Sequence, residues 1–130
     1  MPRIVIPANG WRPRPYQMNA WAAWERGINR SLLIWHSRAG KDETCLHHTA
    51  VAMMLRPGNY VHCLPQFEQG RRSIWLAVNP HTGQRRIDEV FPPEIRANTQ
   101  DQSMTIRTTN GSTWAVAGSD NYNTTLVGSS

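Results

Sequence analysis

The chain has 130 residues, a net charge of +5 at pH 7 and an isoelectric point near 10.0. This length suits one domain with a real core, and the charge favours a polyanionic partner such as nucleic acid or a nucleotide. The absence of an apolar run of about 18 residues and of a secretory signal argues against a membrane protein and for reduced cysteines in a cytosolic compartment.

The amino-terminal part of the chain predicts an extended lead-in followed by a helix. Residues 1–14 are rich in proline and arginine, and we expect one domain to occupy residues 15–130. Pro15 is tolerated in the first turn of a helix, and Gly27 is expected to end it. One face of this helix combines Gln17, Trp21, Trp24 and Ile28. An aromatic stripe at helical spacing is expected to face the core.

The next three elements predict a right-handed parallel βαβ unit. The apolar run at 31–36 indicates a buried strand, and residues 59–64 indicate a second one. Between them, residues 42–55 show helical periodicity, with Asp42 and Glu43 in the first turn where the helix dipole favours acids. The expected fold class is therefore α/β, with a mainly parallel central sheet.

Downstream of this unit the pattern predicts two helices and a hairpin. Residues 67–78 and 85–90 are helical candidates, separated by proline and glycine. Residues 104–117 flank Asn110-Gly111, which is a strong signal for a β-hairpin turn.

The single lysine of the chain, Lys41, follows the first predicted strand and a turn of small residues. Strand, turn, Gly-Lys and helix is the layout of a phosphate-binding loop, in which backbone N–H groups and the helix dipole hold the phosphates and the lysine reaches their β/γ oxygens. The pattern GxxxxGK[ST] is not met at two positions, which carry Trp35 and Asp42. From the motif alone, a turn followed by a solvated lysine is the alternative.

Two other kinds of site are disfavoured. Asp88-Glu89 is the only Asp-Glu pair outside the first turn of the predicted helix at 42–55, and no buried strand precedes it, so we reject it as the acid pair with which an ATPase holds Mg²⁺ and orients water. The candidate zinc ligands are Cys45, His48, His62 and Cys63. Successive strand residues point to opposite faces, so His62 and Cys63 cannot share one metal, and we expect buried cysteines and exposed histidines instead.

Two arginine pairs, Arg71-Arg72 and Arg85-Arg86, are candidates for contacts with a nucleic-acid backbone. Such contacts would give salt-dependent, sequence-independent affinity. A solvated basic face is the alternative for the same residues.

Several short segments occur in a recognisable order along the chain. They are Arg14-Pro15-Tyr16-Gln17, the loop at 35–41, the segments 64–66 and 71–75, Asn110-Gly111-Ser112 and the segment 118–122. In this order they resemble the N-terminal part of the ATPase domain of tailed-phage terminase large subunits. The resemblance implies a P-loop NTPase-like three-layer fold, with the hairpin near its C-terminal end, and a motor that hydrolyses ATP to translocate double-stranded DNA into a procapsid.

The resemblance also implies roles for individual residues. The adenine-recognising segment is matched by Tyr16 and Gln17, and the phosphate loop for Mg²⁺-ATP by Ser37, Arg38, Ala39, Gly40, Lys41 and Asp42. Lys41 is the implied catalytic lysine, and Arg38 would supply the loop arginine, because Ser37 occupies its usual position. Asp42 would ligate Mg²⁺ where the family usually has a hydroxyl. Arg71 and Arg72 fall in a helicase-like segment where DNA contact is expected.

The family's acidic strand and nuclease domain would lie further along a longer chain. We therefore expect this chain to be a truncated fragment without its catalytic carboxylates, inactive as an ATPase by itself. The implied partners are double-stranded DNA, portal protein, small terminase subunit and further copies in a ring, in the cytoplasm of an infected bacterial host at the procapsid portal. Two alternatives stay open: a superfamily 2 helicase or translocase fragment, and a small basic nucleic-acid-binding protein without ATPase activity.

Overall fold

The computed structural model describes residues 6–28 and 41–119, which form an α/β arrangement around a four-stranded mixed sheet. The helices are α1 (Met18–Glu25), α2 (Lys41–Leu55), α3 (Phe67–Gly70) and α4 (Arg86–Val90). The strands are β1 (Asn59–Leu64), β2 (Arg96–Gln100), β3 (Thr105–Thr108) and β4 (Thr113–Gly118). Short 3₁₀ turns occur at Ala8–Gly10, Pro15–Gln17 and Pro93–Ile95, and a π-helical turn at Arg71–Trp75 continues α3.

The sheet has the strand order β1-β4-β3-β2. β1 and β4 pair in parallel, in a register that runs from Asn59 opposite Thr113 to Leu64 opposite Gly118. The other two pairings are antiparallel. The α/β class is therefore confirmed. The P-loop arrangement with a mainly parallel sheet stays a prediction, because the predicted strand at 31–36 lies outside the described residues.

The core lies where α2, α3 and α4 meet the sheet. The α2 residues Leu46, Ala50 and Met53 are buried, as the helical pattern predicts. Trp114 of β4 is also buried, and Phe91, which follows α4, packs against its ring at a centroid distance of 5.1 Å. Burial of such large aromatic side chains is a major favourable contribution to folding.

The predicted helix at 42–55 is confirmed as α2. Its first turn carries Asp42 and Glu43, which complement the helix dipole, and Pro57 and Gly58 prevent its continuation. The predicted strand at 59–64 is confirmed as β1 with the same bounds.

The predicted hairpin is confirmed as β3 and β4, with its turn at Asn110-Gly111. The backbone N–H of Thr108 donates to the carbonyl of Ser112 at 2.8 Å, and Gly111 has a φ of 92°. Side chains of the turn also donate to the carbonyl of Met53, Asn110 Nδ2 at 2.8 Å and Ser112 Oγ at 2.7 Å. These bonds join the turn to the carboxyl end of α2 and satisfy a carbonyl that the helix itself leaves without a partner.

The amino-terminal helix and the helix predicted at 67–78 are both shorter than predicted. A 3₁₀ turn at Pro15–Gln17 opens α1, which ends at Glu25, and Gly27 follows with a φ of 91°. Trp21 is buried and Trp24 half-buried, whereas Ile28 lies beyond the helix and is 50% exposed, so its placement on the core face was wrong. The helix predicted at 67–78 ends after the π-helical turn, because Val78 instead bridges to Arg85.

The expectation of buried cysteines and exposed histidines was also wrong. Cys45 is half-buried, and Cys63 is exposed because it lies on the outward face of the edge strand β1. His48 and His62 are both half-buried.

Candidate functional site

The amino end of α2 lies beside the carboxyl end of β1. Only residues 56–58 separate α2 from β1, and His62 near the far end of the strand contacts Asp42 in the first turn of the helix. Because β1 and β4 are parallel, their carboxyl ends share this edge, where the Ser119 hydroxyl donates to the carbonyl of Pro65 at 3.1 Å. Ligands of open α/β sheets bind at the carboxyl ends of parallel strands.

Lys41 is the first residue of α2 and is exposed to solvent. The amino end of a helix presents backbone N–H groups without intrahelical partners, together with the positive end of the helix dipole. An exposed ammonium group at this position adds to the attraction for an anion.

The Asp42 carboxylate faces the His62 imidazole, with 3.5 Å between Oδ1 and Nε2. The hydrogen bond from His62, and more weakly the charges of His62 and Lys41, lower the pKa of Asp42, against the opposing effect of burial. Asp42 is therefore ionised at neutral pH. Its side chain is 64% exposed, so it remains accessible to a cation.

The chemistry of Asp42 fits Mg²⁺ when the ion arrives with a nucleotide. Mg²⁺ prefers oxygen ligands and is usually held by one or two carboxylates together with phosphate oxygens. The described residues contain no group of three or more acidic, histidine or cysteine side chains that could hold a metal ion on their own. Within the described residues, Asp42 is therefore not part of a closed metal site.

Tyr16 and Gln17, the two residues for which the resemblance implies adenine recognition, lie in the 3₁₀ turn before α1. Gln17 is buried, and its Oε1 accepts a hydrogen bond from the backbone N–H of Arg14 at 2.9 Å. Tyr16 is exposed, and its hydroxyl accepts a bond from Nη1 of Arg14 at 3.1 Å. The side-chain amide oxygen of Gln17 therefore stabilises the turn in which this residue lies. The remaining loop residues, Ser37, Arg38, Ala39 and Gly40, lie outside the described residues.

The two members of the Arg71-Arg72 pair have different surroundings. Arg71 donates to the backbone carbonyls of Asp101 and Gln102, at 3.1 and 2.9 Å, and lies over the Phe67 ring. Arg72 is exposed. Arg71 thus holds the loop between β2 and β3, and Arg72 is the member of the pair that faces solvent.

The Arg85-Arg86 pair also makes internal contacts. Arg85 Nε lies 3.2 Å from Asp88, and Arg86 Nη1 lies 2.8 Å from Glu43. Asp88 also pairs with Arg96 at 2.9 Å. Both carboxylate oxygens of Asp88 are therefore engaged, which agrees with its rejection as a metal-binding catalytic acid.

A second group of polar residues was not predicted from the sequence. Trp11, Glu43, His47, Arg86 and Glu89 line a cavity between the amino-terminal segment, α2 and α4. The sequence distinguishes Glu43, Arg86 and Glu89 only separately, in the acidic first turn of α2, an arginine pair and an Asp-Glu pair. Trp11 and Glu43 are 32 residues apart in the sequence, and Glu43 and Arg86 are 43 residues apart. No local sequence pattern therefore indicates that these residues share a cavity.

Comparisons with known protein-family models, curated proteins and solved structures find no match for this chain. None of the helices within 6–28 and 41–119 has the length and apolar character needed to cross a bilayer. The class that the fold defines is a small α/β domain with a four-stranded mixed sheet.

Proposed function

We propose that this chain is the nucleotide-binding part of a viral DNA-packaging motor of the terminase large-subunit type. The observation that carries the nucleotide site is the position of Lys41. Its exposed side chain and the amino end of α2 lie at the carboxyl edge of the parallel pair β1 and β4. That arrangement suits the triphosphate of ATP. The order of the short sequence segments supports the terminase class.

In this proposal each side chain at the helix terminus has a separate task. Lys41 neutralises charge on the β- and γ-phosphates, and the N–H groups of α2 donate to their oxygens. Asp42 would hold the Mg²⁺ ion that accompanies the nucleotide, and the ion would supply positive charge beside the phosphates. His62 holds the Asp42 carboxylate at this edge through the 3.5 Å contact. Arg38 of the loop is proposed as the charge-stabilising arginine.

ATP binding and ATP hydrolysis require different groups in the site. Hydrolysis needs an acid pair that orients water beside the γ-phosphate, and Asp88 is unsuited to this because Arg85 and Arg96 engage it. We therefore expect the chain to bind ATP weakly at most and to show little turnover by itself. In the complete motor, a ring of such subunits would use hydrolysis to move double-stranded DNA at the procapsid portal.

The test is nucleotide binding by the chain and by Lys41→Ala, measured by titration with a fluorescent ATP analogue in the presence of Mg²⁺. We expect the substitution to weaken binding at least about tenfold, since it removes a direct charge-assisted contact. Arg107→Ala is the matched control, because it removes the same charge from an exposed position on β3. Equal affinity of all three proteins for the analogue would refute the phosphate site at Lys41.

The two alternatives are separated from the proposal by DNA binding. A small basic nucleic-acid-binding protein would bind DNA with steep salt dependence and no response to ATP or to Lys41→Ala. The internal contacts of Arg71, Arg85 and Arg86 leave fewer free cations for such binding than the composition suggests. A superfamily 2 helicase fragment would share the nucleotide response, and unwinding of a duplex by its full-length protein would identify it.

A further inference from the structure

We propose that the cavity between the amino-terminal segment, α2 and α4 binds a primary ammonium group. The cavity measures about 120 Å³, and its polar wall includes Asn9, Glu43, His47, Asn79, Arg86 and Glu89. This volume has room for several water molecules and is too small for a nucleotide. The site is therefore separate from the proposed ATP site and takes a smaller, cationic group.

The cavity wall is held in place by hydrogen bonds between distant parts of the chain. One Glu43 oxygen accepts from the indole N–H of Trp11, and the other accepts from Arg86 Nη1 at 2.8 Å. Asn9 Nδ2 donates to the backbone carbonyl of Glu89 at 2.8 Å. These bonds join the amino-terminal segment to α2 and α4, so the cavity is formed before any ligand arrives. Such preorganisation reduces the cost of binding.

The charge of the wall selects a cation. Glu43 and Arg86 neutralise each other, whereas the Glu89 carboxylate has no ion pair within residues 6–28 and 41–119. Its nearest polar neighbour is Asn79 Nδ2, at 3.5 Å from Oε2, which is a long hydrogen bond. Among residues 6–28 and 41–119, the carboxylates that line the cavity outnumber its cationic side chains by one, which favours a bound cation over a bound anion.

His47 supplies a second, independent indication of a ligand that donates hydrogen bonds. Its side chain is only 3% exposed and its ring stacks on Trp11 at a centroid distance of 4.2 Å. Its Nδ1 has no hydrogen-bond partner in the described part of the chain, although buried polar atoms nearly always have one. Burial lowers the pKa of His47 to about 4, so the ring is neutral and does not oppose a cation.

A primary ammonium group matches this wall better than other small cations. It is compact and carries three N–H donors and no acceptor, so it complements the Glu89 carboxylate and a lone pair of neutral imidazole. A quaternary ammonium has no N–H donor. The group is supplied either by a free alkylamine or by a lysine side chain of another protein.

The test is an NMR titration of the intact chain, observing the Trp11 indole N–H and the His47 ring signals. Ethylammonium chloride is the probe for a free amine, and a short peptide with one internal lysine is the probe for a protein side chain. We expect saturable shifts with at least one probe, and the tighter one identifies the source. Tetramethylammonium chloride at the same concentration should leave the signals unchanged, because it matches the ionic strength but not the donors.

The carboxylate contact is tested with Glu89→Gln, which keeps the size of the side chain and removes its charge. We expect this variant to weaken binding about tenfold or more, as the loss of a charge-assisted contact does. Glu94→Gln is the matched control, because Glu94 is exposed in the neighbouring 3₁₀ turn and does not line the cavity. Thermal unfolding checks that both variants fold. Three results would show that the cavity holds solvent only. Neither probe shifts the signals, tetramethylammonium shifts them equally, or Glu89→Gln binds the probes as tightly as the unmodified chain.

Discussion

The Asp42 carboxylate at the start of α2 lies 3.5 Å from the His62 imidazole on β1. This contact joins the helix to the strand that follows it and fixes a negative charge one residue after Lys41. A hydroxyl is usual at this position of a phosphate-binding loop, because it ligates Mg²⁺ without adding charge. The carboxylate is a stronger ligand for the metal and a source of repulsion for phosphates that arrive without it.

The first prediction is that Asp42→Ser reduces the dependence of ATP binding on Mg²⁺. Removing the carboxylate removes its repulsion of the phosphates, so we expect metal-free ATP to bind about tenfold more tightly to the variant. With Mg²⁺ present, the two proteins should differ less, because serine still offers an oxygen ligand.

Affinity measured with Mg²⁺ and with a chelator checks this prediction. Glu68→Ser is the control, because Glu68 is an exposed acid in the first turn of another helix. An equal ratio of the two affinities in Asp42→Ser and in the unmodified chain would exclude a role for Asp42 at the phosphates. Loss of the His62 contact should change the free energy of unfolding by less than about 1 kcal/mol, since exposed ion pairs contribute little.

The second prediction concerns acid stability and His47. Burial lowers the pKa of this residue from 6.5 to about 4, so the unfolded chain binds a proton that the folded chain rejects. Stability conferred by neutral His47 is therefore present above pH 6.5 and is lost as the pH falls towards 4. The loss amounts to roughly 3 kcal/mol at most.

Urea unfolding of the chain and of His47→Gln at a series of pH values measures this effect. We expect the free energy of unfolding to fall less steeply for the variant between pH 6.5 and 4, because glutamine does not titrate. His62→Gln serves as the control at a half-buried histidine. Identical slopes for His47→Gln and the unmodified chain would mean that His47 titrates normally in the folded state.

Local patterns predict α2, β1 and the β3–β4 hairpin because each signal lies within a few residues of the element. Asp42 and Glu43 favour the start of a helix, and Pro57-Gly58 prevents its continuation. Asn110-Gly111 favours the tight turn of a hairpin. The position of Lys41 at the start of α2 could be predicted in the same way, since the helical pattern begins directly after it in the sequence.

The cavity between the amino-terminal segment, α2 and α4 could not be predicted, because its residues are separated by long stretches of chain. A basic pair such as Arg85-Arg86 has the same sequence signature whether it faces solvent or an internal carboxylate. In the structure, Arg86 binds Glu43 from 43 residues away. Only the packing of α4 against α2 decides this outcome, and no local pattern reports that packing.

The third prediction is that Arg96→Lys destabilises the fold despite keeping the charge. Arg96 Nε donates to the carbonyl of Phe91 at 2.6 Å, and Nη2 donates to the carbonyl of Ile87 at 2.8 Å and to Asp88 at 2.9 Å. Its side chain is 15% exposed, so water does not replace lost bonds freely. A lysine ammonium cannot reproduce this planar set of contacts.

We expect Arg96→Lys to lower the free energy of unfolding by about 1–3 kcal/mol, because buried acceptors lose their donors. Chemical denaturation provides the measurement. Arg107→Lys makes the same change at an exposed position of β3 and should be nearly neutral. Equal stability of the two variants would show that the Arg96 contacts add nothing beyond charge.

The fourth prediction is that Gly70→Ala destabilises the chain, although alanine is normally the better helix former by about 1 kcal/mol. Gly70 is buried at the end of α3, where that helix packs on β1 and β4. A Cβ atom at this position would lie 2.5 Å from Val116 Cγ1 and 3.4 Å from Leu64 Cδ1. The first distance is far below van der Waals contact, so the helix or the strand must move.

The expected loss is about 1–3 kcal/mol in the free energy of unfolding, the usual range for overpacking. The same substitution in a Val116→Ala background separates this clash from a general loss of packing. Val116→Ala removes the Cγ1 atom, so Gly70→Ala should there become neutral or stabilising, and the two changes should couple by more than 1 kcal/mol. If Gly70→Ala costs the same free energy in both backgrounds, α3 does not approach β4 at the distance that the structure shows.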